Sequence, residues 1–476
     1  MNLQQPLAAP MVLAVPGMYK ERQISKTVFR AYDIRGIIGE ELDGDAYYTI
    51  GRALAIELRA IDRNQIFIAR DGRLTSIELA TALIQGLIAS GINVIDLGSG
   101  PTPMMYYATH KHAIDCGLMV TGSHNPSNYN GIKIVIAGKT LVKADIDRLY
   151  AHVIAQKFHN AIATITYLDI KPDYIRRIVN DIILQRALTV VVDCGNGIAG
   201  TLAVPVLERL GCSVIPLFCE IDGTFPNHHP DPSVEHNLAD LQQAVLHHKA
   251  DIGLAFDGDG DRLGVITDKA EIIWPDRLIM YYATHLKLTG ATIVFDVKCS
   301  ANLATVILNA GGIPKMCPTG HSIVKGVMRE ENAALAGEMS GHIFFKDRWY
   351  GFDDAIYSAC RLLELVSQTS LAVSWQFKQI PDSINTPEIK IPIHEDNKFD
   401  FMQKFCELAN FPGGTKIMID GIRVEFDYGW GLIRASNTTP CLVARFEATD
   451  PSKLSDIQNL FKDEMQRIQS DLQVIF

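Results

Sequence analysis

Val190-Val-Val-Asp193-Cys-Gly-Asn196, followed after a helical stretch by Gly211-Cys-Ser-Val-Ile215, is a β-branched run that ends in Asp, turns through glycine, and returns as a second strand. The same order occurs upstream in Phe67-Ile-Ala-Arg-Asp71-Gly-Arg73 with Gly91-Ile-Asn-Val-Ile95. It occurs downstream in Ile293-Val-Phe-Asp296-Val-Lys-Cys299 with Gly312-Ile-Pro-Lys-Met316. Strand–loop–helix–strand units build sheets with helices on their faces and place binding loops at the carboxyl ends of strands. Three copies at a spacing of about 100 residues predict three similar α/β domains.

The last stretch departs from this pattern. Ile422-Arg-Val-Glu-Phe426 alternates apolar and polar as a half-buried strand does, and Cys441-Leu-Val-Ala-Arg-Phe446 reads as a second strand, with a loop containing Arg434 to Pro440 between them. Asp450 is expected to cap a helix that has Pro451 at its first position and Leu454, Ile457, Phe461, Met465 and Ile468 on one face. The expected class is therefore α/β with four domains, the fourth a C-terminal α+β domain. The expected boundaries are 1–167, 168–270, 271–381 and 382–476.

Composition narrows the function. The 476 residues are 47% apolar and 21% charged, as in ordinary globular chains, and carry a formal net charge of −10. That charge disfavours nucleic acid or an anionic membrane as a partner, and it makes an anionic substrate depend on local basic groups. Nine cysteines, odd in number and without a CxxC pair, fit free thiols in a reducing cytoplasm. The apolar run Met11 to Val15 is too short to span a bilayer, and residues 1 to about 25 read as a flexible lead-in.

Two loops carry the chemistry. In Asp257-Gly-Asp-Gly-Asp261-Arg262 three carboxylates alternate with glycine, so a tight backbone can converge them on one hard cation, Mg²⁺ or Ca²⁺ rather than zinc. An EF-hand is disfavoured because Arg262 stands where its sixth-position glycine belongs and Asp268 where its terminal residue is normally glutamate. Thr121-Gly-Ser-His-Asn-Pro126 lies between the strands Leu118–Val120 and Gly131–Ile136, which puts Ser123 at a strand end beside a glycine. Read by itself this loop serves equally as a plain turn; it is not a G-x-S-x-G elbow. His124 and Lys133 are nearby groups able to transfer a proton.

These two motifs, with Gly337-Glu-Met-Ser-Gly-His342 and Arg434-Ala-Ser-Asn-Thr-Thr-Pro440, resemble the α-D-phosphohexomutase superfamily, close to its bacterial bifunctional phosphomannomutase/phosphoglucomutase type. The resemblance extends from Phe29-Arg-Ala-Tyr-Asp-Ile-Arg-Gly36 to the terminal helix. It implies a TBP-like fourth domain and a central cleft. It implies that Ser123 is a phosphoserine and that Asp257, Asp259 and Asp261 bind Mg²⁺, with Ser123 as a further ligand. Glu338 and Ser340 would read sugar hydroxyls, and Arg434, Ser436, Asn437 and Thr438 would hold the phosphate that is not transferred. Tyr32, Arg35, His124, Lys133, Arg262, Lys298, His321 and His342 match other cleft positions.

The implied reaction interconverts hexose 1-phosphates and 6-phosphates, of mannose and glucose, through a hexose 1,6-bisphosphate. The enzyme is expected to be a cytoplasmic monomer. Phosphoglucosamine mutase is the rival within the superfamily, and it usually carries Gln where Met339 stands. The general base is left open between Lys133 and His124. His228 and His229 read as solvated loop residues, and Asp353 and Asp354 as a helix cap rather than metal ligands.

Overall fold

In each of the three repeats the two β-branched runs lie side by side and parallel. Thr189–Asp193 pairs with Ser213–Leu217, Gln65–Arg70 with Asn93–Ser99, and Thr292–Asp296 with Ile313–Cys317. The computed structural model describes residues 18–394, 397–436 and 440–476. Its chain forms two compact units, Met1–Trp274 with Ser340–Phe377, and Pro275–Met339 with Lys378–Phe476.

The first unit carries two mixed sheets built on one plan. In the first, Asp33–Ile37, Tyr129–Ile136, Gly117–Val120, Gln65–Arg70, Asn93–Ser99 and Ile165–Tyr167 follow one another across the sheet. Tyr129–Ile136 runs antiparallel to Gly117–Val120, while Gly117–Val120, Gln65–Arg70 and Asn93–Ser99 are parallel. In the second sheet Leu263–Thr267 runs antiparallel to Ile252–Phe256, which is parallel to Thr189–Asp193. Both chemistry-bearing loops therefore sit at the same topological place, the turn from a parallel strand into its antiparallel neighbour. Ile34, Leu54, Ile66, Ile68, Leu83, Val120 and Ile132 fill one continuous core beneath the first sheet.

The second unit contains the parallel strands Thr292–Asp296, Ile313–Cys317 and Leu335–Gly337 and an antiparallel sheet. In the latter Ile384–Asn385, Cys441–Ala448, Gly429–Ala435, Ile422–Phe426 and Thr415–Ile417 follow in order. The helix Pro451–Ile468 begins as expected, with the Asp450 side chain accepting from the backbone N–H groups of Ser452 and Lys453. Its Ile457, Phe461 and Met465 are buried against Phe405, Phe411 and Phe446.

Three expectations are corrected. Arg434 and Ala435 do not start a loop; they end a third strand, Gly429–Ala435, hidden in sequence because Gly429-Trp-Gly431 breaks the alternation. Residues 18–25 are tied down: Lys20 N–H donates to Asp45, Arg22 pairs with Asp43, and Glu21 pairs with Arg52. His228 is not solvated, since its Nε2 lies 3.0 Å from Asp193 Oδ2.

Asp354 is the helix cap foreseen, accepting from Tyr357 N–H at 2.9 Å, and it also accepts from the Tyr174 hydroxyl at 2.8 Å. Burial pushes its carboxyl up to about 7, against the pull of those two hydrogen bonds. The unfolded carboxyl ionises near pH 4, so the folded chain keeps a proton that the unfolded chain releases. Stability is thus lost as pH rises from about 4 to 7, by at most about 4 kcal/mol. Asp354→Asn removes this slope. Urea titrations should show the variant gaining on the wild type between about pH 4 and 7 and holding that lead above it; a pH-independent difference contradicts the assignment.

Candidate active site

Alternating glycines let the Asp257–Asp261 loop fold back on its first carboxylate. Asp257 Oδ1 accepts from the backbone N–H groups of Asp261 at 3.0 Å and Arg262 at 3.1 Å, and Gly260 makes the turn with φ +76°. Gly258 also allows close approach to the serine loop, because a Cβ there would lie 2.4 Å from the Ser123 carbonyl oxygen. The two loops meet at this point. The Ser123 hydroxyl donates to Asp257 Oδ2 at 3.1 Å and lies 3.3 Å from His124 Nδ1. Ser123 itself is held in the left-handed region at φ +48° and is 2% exposed.

Oxygens of Asp257, Asp259 and Asp261 lie within 4.8 Å of one another, and all three residues are fully buried. Asp259 Oδ2 accepts from Thr102 Oγ1 at 2.5 Å and Lys133 Nζ at 2.6 Å, whereas Asp259 Oδ1 is buried without a hydrogen bond. Lys133 also donates to Asp261. Three converging carboxylates, with Asp259 Oδ1 and Asp261 Oδ1 both buried without a hydrogen bond, fit a small divalent cation.

The charges sort the acid–base groups. Burial, then repulsion from Asp259 and Asp261, pushes the Asp257 carboxyl well up. Burial alone would lower Lys133, but Asp259 and Asp261 outweigh it and hold the ammonium protonated. Burial, helped by Arg262 and Arg35, pulls the His124 imidazole well down, so that it stays neutral.

Around this centre Arg35 donates to Asp33 Oδ2 and Asn125 Oδ1, both at 2.6 Å. Tyr32 is half-buried in the segment just before Arg35's strand. Arg262 lies 3.9 Å from both Asp257 and Asp231. His342 joins it as well, with Nε2 3.3 Å from Asp261 and Nδ1 2.9 Å from Ser340 Oγ. Asp353, expected to be only a cap, is fully buried in a group with Asp261 and His342.

The remaining expected residues belong to the second unit. Gly320 N–H donates to Glu338 Oε1 at 2.7 Å, and Thr319 N–H donates to Asp420 Oδ2 at 3.0 Å. Arg434 Nε donates to the same Asp420 oxygen at 2.8 Å. Lys298 is buried against Glu388 and lies 3.8 Å from Asp296. His321 opens the helix His321–Glu330, and Ser436 N–H donates to the Cys441 carbonyl at 3.0 Å. Asn437 and Thr438 lie outside the described residues.

Sequence reasoning passed over Thr102, Glu388 and Asp420, and read Asp353 only as a cap. Thr102 carried a usable signal, since Gly100-Pro-Thr-Pro103 follows the strand Asn93–Ser99 at its carboxyl end. Asp420, between two strands, carried none.

The chain belongs to the phosphoglucomutase/phosphomannomutase family. Models of that family's α/β/α domains I, II and III match residues 26–160, 172–270 and 274–383, and its C-terminal domain matches 388–464. It is an isomerase of the phosphohexomutase kind. The phosphomannomutase/phosphoglucomutase of Pseudomonas aeruginosa is 48% identical over 459 residues, which are 96% of this chain and 99% of that one. The phosphoglucomutase of Neisseria meningitidis serogroup A is 46% identical over 445 residues, 92% of this chain and 96% of its own. A crystal structure of a phosphoglucomutase/phosphomannomutase family protein from Burkholderia thailandensis superimposes with a TM-score of 0.91 at 44% identity, covering 95% of this chain and 100% of that one.

Proposed function

We propose that the protein interconverts the 1-phosphates and 6-phosphates of mannose and glucose, with Ser123 as the phosphoryl carrier. The observation that carries this reading is the Ser123 hydroxyl 3.1 Å from Asp257 in a buried three-carboxylate loop. Mg²⁺ would be held by Asp257, Asp259, Asp261 and the Ser123 oxygen, and when bound it supplies charge neutralisation at the phosphoryl group.

The chain's own residues do the rest. A sugar hydroxyl attacks the phosphoryl on Ser123; the bond from phosphorus to Oγ breaks as the bond to the sugar oxygen forms, giving a hexose 1,6-bisphosphate. The bisphosphate then returns its other phosphoryl to Ser123. His124, neutral and 3.3 Å from Oγ, is suited to hold the proton that Oγ gains or loses. Lys133, kept protonated by its aspartates, is suited to offset anionic charge. Arg35 and Arg262 add positive charge beside the serine. Glu338 and Ser340 serve as readers of sugar hydroxyls, Tyr32, Lys298, His321 and His342 as further substrate contacts, and Arg434, Ser436, Asn437 and Thr438 as the phosphate grip.

Four domains with boundaries at 167, 270 and 381 are part of this reading, supported by one family model for each domain. Among the described residues no helix is long and apolar enough to cross a membrane, and all nine cysteines are free thiols, which supports a cytoplasmic location.

Incubation with mannose 1-phosphate, Mg²⁺ and a trace of hexose 1,6-bisphosphate should yield mannose 6-phosphate. Release of inorganic phosphate without the 6-phosphate refutes the mutase reading. Asp420 offers a finer check, because it fixes the Arg434 guanidinium from outside the grip. Asp420→Ala should raise the KM for hexose 1-phosphate by about tenfold and leave kcat within about threefold; a fall in kcat at constant KM assigns Arg434 a different task.

A further inference from the structure

The Asp71-Gly-Arg73 turn ends the first repeat strand, and the mechanism above gives it no role. Arg73 is 3% exposed and lies beneath the serine loop. Its Nη1 donates to the carbonyls of Pro126 at 2.5 Å and Tyr129 at 3.0 Å. Its Nη2 donates to those of Ser123 at 2.8 Å and Asn125 at 2.5 Å. Nε faces Asp71 Oδ2 at 3.3 Å, and that oxygen also lies 3.3 Å from the Gly122 N–H. The Phe225 ring covers the guanidinium at 5.0 Å. Gly122 is required by the same packing, since a Cβ there would lie 2.5 Å from Arg73 Cζ.

A guanidinium has five N–H groups; here the four on Nη1 and Nη2 each meet a loop carbonyl, and Nε, without a hydrogen bond, is ion-paired with Asp71. The terminal N–H groups are thus taken up by the serine loop, so Arg73 acts on the loop and not on the substrate. We propose that Arg73 is a positioning residue that holds Ser123 in its left-handed conformation and aims Oγ for phosphoryl transfer; this rests on the reading of Ser123 as the carrier. Four carbonyl oxygens drawn together repel one another unless a planar cation joins them. Lysine, with three donors on one atom, does not span them.

The step tested is phosphorylation of the enzyme. The bond from phosphorus to a sugar oxygen of glucose 1,6-bisphosphate breaks, the bond to Ser123 Oγ forms, and the Oγ proton passes to the released sugar oxygen. Full-length wild type, Arg73→Lys, Arg73→Gln and Ser123→Ala are first dephosphorylated, then mixed with Mg²⁺ and glucose 1,6-bisphosphate and followed by intact mass. Both Arg73 variants should be phosphorylated at least about tenfold more slowly, Arg73→Lys less slowly than Arg73→Gln, and to the same final extent as the wild type. Their steady-state KM should stay within about twofold while kcat falls. A wild-type rate in both variants overturns the inference, and so does a wild-type rate with only a smaller fraction of molecules phosphorylated, which marks a purely structural role. Phosphate acquired by Ser123→Ala refutes the carrier reading itself. Its absence there, with unaffected Arg73 variants, sinks only the role given to Arg73.

Discussion

Ser123→Ala is expected to lose mutase turnover by roughly a thousandfold or more and to acquire none of the phosphoryl adduct that intact mass should detect on the wild type, while folding as the wild type does. The functional loss follows from chemistry: among the described residues no other hydroxyl is hydrogen-bonded to Asp257 and His124 as Oγ is, at 3.1 and 3.3 Å. The small structural cost follows from the loop. The Ser123 N–H still donates to Thr121 Oγ1 at 2.8 Å, and its carbonyl still accepts from Arg73 at 2.8 Å. Alanine carries the same left-handed backbone penalty as serine, so the strain is unchanged. The variant's thermal midpoint should therefore stay within a few degrees of the wild type. A variant that keeps both its phosphate and its turnover moves the carrier role to another residue.

What was legible in the sequence was what is local. The Asp257–Asp261 loop announced itself because its glycines and carboxylates are adjacent in the chain, and its hydrogen bonds from residues 261 and 262 back to 257 close within five positions. The repeat strands were legible for the same reason, a β-branched run of fixed sense ending in Asp. Contacts made over distance left no such trace. Thr102 reaches Asp259 across 157 positions, Arg73 reaches Ser123 across 50, and His228 reaches Asp193 across 35. His228 looked solvated because its neighbours are prolines and polar residues, and only the fold brings a buried carboxylate to it. Asp71 and Arg73 were visible as markers of a strand end, but their task depends on where the serine loop lies in three dimensions. Gly429–Ala435 escaped because two glycines and a tryptophan leave no alternation to read, although Trp430, Leu432 and Ile433 are all buried.

Removing the divalent cation should be nearly as damaging as removing the serine. Chelated enzyme is expected to lose turnover by at least about a hundredfold and to regain it with Mg²⁺. The argument begins from charge. Three fully buried carboxylates face the cations of Lys133 and Arg262, and only Lys133 touches them closely, at 2.6 Å from Asp259. A phosphoryl group on Ser123 would bring nearly two further negative charges into the same volume. Neither lysine nor arginine here is positioned to offset both sets, so a phosphoserine in this loop would be expected to need a divalent ion beside it. Mg²⁺ should therefore raise the thermal midpoint of the wild type, and more so after phosphorylation. Asp259→Asn, which replaces one of the two triad residues with an orphaned Oδ1, should abolish most of that shift and most of the turnover together. Chelation that leaves turnover intact, or an Asp259→Asn protein that Mg²⁺ still stabilises fully, would place the ion elsewhere. Mn²⁺, close to Mg²⁺ in its preference for oxygen, should restore activity in part, whereas Zn²⁺, which favours nitrogen and sulfur ligands, should not.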